Sequence, residues 1–156
     1  MENKRIKVLD GIIEVSLRTL CILYAVQCPI SKDRISAYDY FTQYTKDISP
    51  KYDNLSTEIK SYSTSYIGEI QALPYALNIL LSRNLIQTNV NTHQLMYDIT
   101  ELGCSVVKLL GSNGYTNLLF QHINQVKEFF SCYSDSDINA FIKTHISNWN
   151  IENSKI

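Results

Sequence analysis

Three histidines, His93, His122 and His145, and four cysteines, Cys21, Cys28, Cys104 and Cys132, are the side chains that could ligate a metal or serve as nucleophile and base. A structural zinc needs about four converging ligands, usually supplied as close pairs. Here there is no CxxC pair, and no histidine shares a short spacing with another histidine or with paired cysteines. A cysteine and a distant histidine can meet only in space, but Cys21 and Cys104 fall on apolar helical faces, where burial keeps a thiol inert. The carboxylates Asp135 and Asp137 lack the Gly and terminal Glu of a calcium loop and read as helix caps. Gly111-Ser112-Asn113-Gly114 lacks the Lys-Ser/Thr of a phosphate loop and reads as a turn. The residues assign no catalytic group, no cofactor site and no metal site.

The elements that position these groups follow from apolar spacing. A first helix is predicted over 8–27, burying Leu9, Ile12, Ile13, Leu17, Leu20, Leu23 and Tyr24, with Glu14 placed to pair with Arg18. A second is capped by Ser31, turns Ile35, Tyr38, Phe41 and Tyr44 inward, and closes near Ile48 ahead of Pro50. An aperiodic polar loop follows, and a third helix runs from about Ser65 through a kink at Pro74 to Arg83-Asn84. Two short strands, 85–88 and 95–99, flank a polar turn, Asn89-Val90-Asn91-Thr92-His93. Thr100 caps a helix to about Leu110. Two more are predicted, over 115–132 with Leu118, Leu119, His122, Val126 and Phe130 inward, and from Ser134–Asp137 to about Trp149 with Ile138, Phe141 and Ile142 inward.

Helix, strand, turn, strand, helix is the centre of a winged helix, so the fold class is mainly α with a small β-hairpin: a winged-helix-like core over 8–110 and a C-terminal helical extension over 114–149, in a single domain of residues 1–156. With 45% hydrophobic and 19% charged residues and a net charge of −1, the chain has a globular composition and no polyelectrolyte segment. Asp10, Glu14 and Arg18 interrupt the apolar stretch near the N-terminus at four-residue intervals, which makes it an amphipathic helix and spoils a secretory signal or membrane span. The expected location is cytoplasmic, with the cysteines reduced.

A winged helix raises the question of DNA. Phosphate neutralisation by Lys and Arg supplies most non-specific affinity, and from Ile67 to Asn84 the charged residues are Glu69 and Arg83 alone. The reading is a protein-binding scaffold. Of eleven tyrosines, Tyr38, Tyr40, Tyr44, Tyr52, Tyr62 and Tyr66 cluster in one region. Tyrosine is enriched at interfaces because its ring buries area while its hydroxyl stays hydrogen-bonded. The candidate partner-binding residues are Tyr52, Tyr62 and Tyr66 in and after the loop, Asn91 and His93 in the hairpin, and Arg83. The alternative is a winged-helix DNA-binding transcription regulator, with the hairpin as wing and Lys4, Arg5, Lys7, Lys32 and Arg34 as a basic patch.

The order of motifs, Ser16-Leu17-Arg18-Thr19-Leu20, Tyr38-Asp39-Tyr40, Gly68-Glu69 and Leu80-Leu81-Ser82-Arg83-Asn84-Leu85-Ile86, resembles the middle component of ABC-three-component systems, the group that includes Lamassu. The similarity covers residues 8 to about 103. It implies a non-catalytic subunit that works with an ABC ATPase of the SMC or Rad50 type and an effector, typically a nuclease, in antiphage or antiplasmid defence, touching DNA only through the complex. The third helix of that family is often basic with paired arginines, whereas this chain has Gln71-Ala72-Leu73-Pro74.

Overall fold

The computed structural model describes residues 2–56, 62–91 and 93–153, with side-chain surroundings given for 11–56, 70–91 and 93–145. Its elements are α1 (Glu2–Val26), β1 (Ile30–Ser31), α2 (Lys32–Gln43), a 3-10 turn (Thr45–Asp47), α3 (Tyr62–Ser82), β2 (Ile86–Asn91), β3 (Gln94–Ile99), α4 (Glu101–Leu109), α5 (Gly114–Phe129) and α6 (Asp135–Asn153). The three strands form an antiparallel sheet in the order β1-β3-β2. The chain is mainly helical with a small sheet, and the sequence α1-β1-α2-α3-β2-β3 gives it a winged-helix-like arrangement.

Local chemistry accounts for most boundaries. Gln27 at φ 56° ends α1, and Asn84 at φ 57° turns the chain from α3 into β2, a left-handed conformation that Asn tolerates better than most residues. The Ser31 hydroxyl caps α2 by accepting from the Arg34 amide, the Thr100 hydroxyl caps α4 by accepting from the Gly103 amide, and the Asn113 side chain caps α5 from Thr116. Ser134 and Asp137 exchange side-chain to backbone hydrogen bonds at the head of α6, a capping box. Pro74 lies inside α3 as expected, and the helix continues through it.

Several expectations are corrected. α1 begins at Glu2 rather than Val8, and α3 at Tyr62 rather than Ser65. α2 stops at Gln43, not near Ile48, because Tyr44 leaves helical geometry (φ −122°, ψ 57°) and the Thr45 side chain is committed to the loop beyond. α5 ends at Phe129 rather than Cys132. Asn89, Val90 and Asn91 extend β2 instead of turning, and His93 stands at φ 67° ahead of β3. The two-residue β1 had no sequence signal of its own.

The core is one continuous apolar cluster. It joins Leu20, Ile22 and Leu23 of α1 and Ile35 and Phe41 of α2 to Leu73 and Leu77 of α3. Leu119, Ile123 and Val126 of α5 and Ile138 and Ile142 of α6 belong to the same cluster, so the C-terminal helices share it with the sheet-bearing part. Phe130 follows α5, and its ring lies 5.3 Å from that of Phe41 and 5.5 Å from that of Phe141, an aromatic junction of α2, α5 and α6. Ile13 and Leu118, expected inward, are exposed instead, because α1 turns its Val15, Arg18 and Ile22 edge to the core and α5 turns its Leu119 edge.

Candidate functional site

Two ionic contacts hold the frame. The Arg18 guanidinium on α1 meets the Asp39 carboxylate on α2, Nε donating to Oδ1 at 2.7 Å and Nη2 to Oδ2 at 3.3 Å, with both side chains buried. The expected Glu14 partner lies 3.9 Å away and is largely exposed, so of the two carboxylates Asp39 is the closer and more buried. Arg34 makes the second contact. Its Nε donates to Asp135 Oδ1 at 2.7 Å and its Nη2 to the Tyr133 carbonyl, while the Ser31 hydroxyl donates to Asp135 Oδ2 at 2.6 Å. Burial alone raises the Asp135 pKa, but Ser31 and Arg34 outweigh it and hold the carboxyl below its usual range. Asp135 is thus a clasp between α2 and α6 while Ser134 and Asp137 do the capping, and Arg34 is not available to a basic patch.

The loop after α2 is tied down at its start. The Thr45 hydroxyl donates to the Asp53 carbonyl and lies 2.9 Å from His122 Nδ1 on α5. Because the single hydroxyl proton goes to Asp53, the network assigns the imidazole proton to Nδ1, which donates back to Thr45. Desolvation pushes the His122 pKa down, with Asp53 opposing it weakly. Lys46 and Leu55 add backbone anchors to Asn54 and Gln43.

None of these groups forms a reactive constellation. Burial raises the Cys21 thiol to about 11, and the four cysteines are free thiols. Among the described residues no group of three His, Cys, Asp or Glu side chains could hold a metal ion, and no helix is long and apolar enough to cross a membrane. An open groove of about 480 Å³ between the connection after α5 and the first turns of α6 includes Cys132, Tyr133 and Phe141, and its one carboxylate, Asp137, already accepts from the Ser134 amide.

What the fold does present is an uncharged face. On α3, Gln71, Tyr75, Asn78 and Ser82 point to solvent, flanked by Ile70 and Ile79; Tyr75 is 63% exposed. The hairpin exposes apolar side chains as well: Val90 and Leu95 stand opposite one another across β2 and β3 and are 72% and 47% exposed. From Ile67 to Ile99 the charged residues are Glu69, Arg83 and Asp98. Arg83, Asn91 and His93 are all exposed, at the end of α3 and the tip of the hairpin. Tyr52 is half-buried in the anchored loop, and the side chains of Tyr62, Tyr66 and Glu69 lie outside the described residues. Tyr38, Tyr40 and Tyr44 are core residues, at most 6% exposed, so half of the tyrosine cluster packs the interior. Val90 lies in the hairpin segment expected to make contacts, around Asn89 to Gln94, whereas Tyr75 and Leu95 were missed; apolar residues at positions facing away from the core were the available signal.

The family model for ABC-three component (ABC-3C) system Middle Component 2 matches residues 8–152. The chain belongs to this family. Comparison with curated proteins and with solved structures gave no match. The middle-component match runs on through α4, α5 and α6, past the limit near residue 103 drawn from the motifs, in keeping with the core those helices share with the rest of the chain. Within this middle component, three residues that carried the resemblance are structural. Arg18 and Asp39 are the two halves of the buried pair, and the hydroxyl of the buried Tyr40 donates to Asp47 at 2.8 Å, fixing the turn after α2. Ser82, Arg83 and Asn84 of the last motif stand in solvent. As one component of a multi-component system, the chain has protein partners.

Proposed function

We propose that this middle component is a non-catalytic adaptor of a Lamassu-type antiphage or antiplasmid complex. It connects an SMC- or Rad50-like ABC ATPase to an effector subunit, a nuclease, in the bacterial cytoplasm, and reaches DNA only through the assembly. The observation that carries the reading is the charge of the face a winged helix would lay on DNA. α3 and the hairpin expose Tyr75, Ile79, Val90 and Leu95, and Arg83 is their one cation. Each phosphate contact contributes roughly −0.9 to the slope of log K against log salt. A face with one arginine therefore has little non-specific affinity to draw on, whereas exposed aromatic and aliphatic side chains in a neutral surround suit a protein interface.

The test is co-expression with the other two components of the system followed by purification on a tag placed on the ATPase. The adaptor reading expects a stoichiometric complex containing this chain and requires no DNA for its assembly. A gel shift of the isolated subunit on its own upstream DNA separates it from the transcription-regulator alternative. Specific nanomolar binding with a steep salt slope would overturn the adaptor assignment.

A further inference from the structure

The two edges of the small sheet are built differently. β1 is two residues long and leads directly into α2. β2 runs six residues in unbroken one-to-one register with β3, from Ile86 opposite Ile99 to Asn91 opposite Gln94. The Thr100 amide donates to the Leu85 carbonyl at 3.1 Å, which makes 85 and 100 a hydrogen-bonded pair. Such pairs alternate along an antiparallel ladder. Gln87, Asn89 and Asn91 therefore aim their backbone groups at β3, and Thr88 and Val90 aim theirs outward along the sheet edge.

Natural sheets blunt an edge of this kind with a lysine, a proline, a bulge or a covering element. Among the described residues β2 has none of these defences: Asn84 to Tyr97 contains no charged residue and no proline, the register has no bulge, and Gln87 to Asn91 are all exposed. Ile86, Thr88 and Val90 share a face with Leu95, Tyr97 and Ile99. That face is buried at Ile86 and Tyr97 and emerges into solvent at the Val90–Leu95 pair.

We propose that β2 is a strand-docking edge. An extended segment of another component of the system pairs its backbone with the outward N–H and C=O groups of Thr88 and Val90 and lays an apolar side chain over Val90 and Leu95. The proposal rests on the adaptor reading and names its point of contact. A free backbone edge selects an extended chain, and the absence of charge from Asn84 to Tyr97 selects an uncharged segment. A second copy fits less well. Pairing β2 with itself engages six residues a side, where a stable interface uses roughly 20–30, so the docked strand is one element of a larger partner.

Amide-resolved hydrogen exchange on the subunit alone and in the co-expressed complex tests this. Alone, Asn89 and Asn91 exchange slowly and Thr88 and Val90 quickly. In the complex, Thr88 and Val90 slow by on the order of 100-fold. Thr88→Pro deletes an outward donor that the β2–β3 ladder does not use, and is expected to leave the melting temperature of the subunit unchanged while lowering the yield of complex at least ~10-fold. The inference is overturned if the complex forms and both amides still exchange quickly, which leaves the adaptor reading standing. It is also overturned if the same amides slow with rising concentration of the subunit alone, which assigns the edge to a second copy. If the subunit joins no complex at all, the adaptor reading fails and the docking edge fails with it.

Discussion

Asp39→Ala isolates the term on which the packing of α1 against α2 most depends. Arg18 is 6% and Asp39 2% exposed, and the two share hydrogen bonds at 2.7 and 3.3 Å. A guanidinium cannot shed its proton at any workable pH, so removing the carboxylate takes a hydrogen-bonded anion away from a buried charge. Breaking a buried pair from one side costs about 3–5 kcal/mol. Glu14 does not compensate, because it is 73% exposed and 3.9 Å away, a geometry worth about 0–1 kcal/mol. With a urea m-value of about 2 kcal/mol/M, the unfolding midpoint read by far-ultraviolet circular dichroism should fall by about 1.5–2.5 M with m unchanged. The double variant Arg18→Met with Asp39→Leu removes both charges and should recover to within ~1.5 kcal/mol of the wild type. A loss under ~1 kcal/mol for Asp39→Ala would refute the reasoning, since that is the range of an exposed pair.

Three further outcomes are expected. His122 has a folded pKa below its ordinary 6.5, so the unfolded chain binds the extra proton first: its contribution is fully present above pH 6.5 and is lost as pH falls below it. Urea midpoints measured from pH 8 to 5 should fall on the acid side, and His122→Gln should flatten that slope. Gly103→Ala puts a Cβ 2.1 Å from the Leu85 carbonyl oxygen and 2.7 Å from Ile99 Cγ1; at about 3 kcal/mol of overpacking the melting temperature should drop by about 6–12 °C. Tyr75→Glu, on the solvent side of α3, should alter stability by less than ~0.5 kcal/mol while weakening the co-expressed complex at least ~10-fold in a pull-down titration.

Local signals were legible and long-range ones were not. The caps at Ser31 and Thr100, the left-handed Asn84, the inward rows of α2 and the neutral α3 all follow from neighbours within a few residues. Arg18 and Asp39 lie 21 residues apart, and Arg34 and Asp135 about a hundred, so no spacing rule joins them. Asn89 and Asn91 carry turn propensity, yet the register set by Ile86 and Tyr97 against the core keeps the ladder running to the tip. β1 is a strand because it pairs with β3, which short sequence windows cannot register. Among the clustered tyrosines the apolar row of the second helix marked Tyr38 and Tyr44 as core residues, as they are, whereas no spacing marked Tyr40, which is buried beside them.

Part of the family resemblance, Arg18, Asp39 and Tyr40, is buried, whereas Ser82, Arg83 and Asn84 of its last motif are exposed. Arg18, Asp39 and Tyr40 fix how α1, α2 and the following turn meet, and through β1, which leads into α2, they set where β3 and the hairpin stand. A frame held by buried ionic hydrogen bonds tolerates few substitutions, because either partner alone is costly to lose. The outward face of α3 and the edge of β2 carry no such constraint from folding: Tyr75 and Val90 project into solvent, and an exposed valine on a charge-free strand edge is an aggregation liability when left unpartnered. A chain that retains such an edge is suited to having it covered, as the proposed strand docking requires.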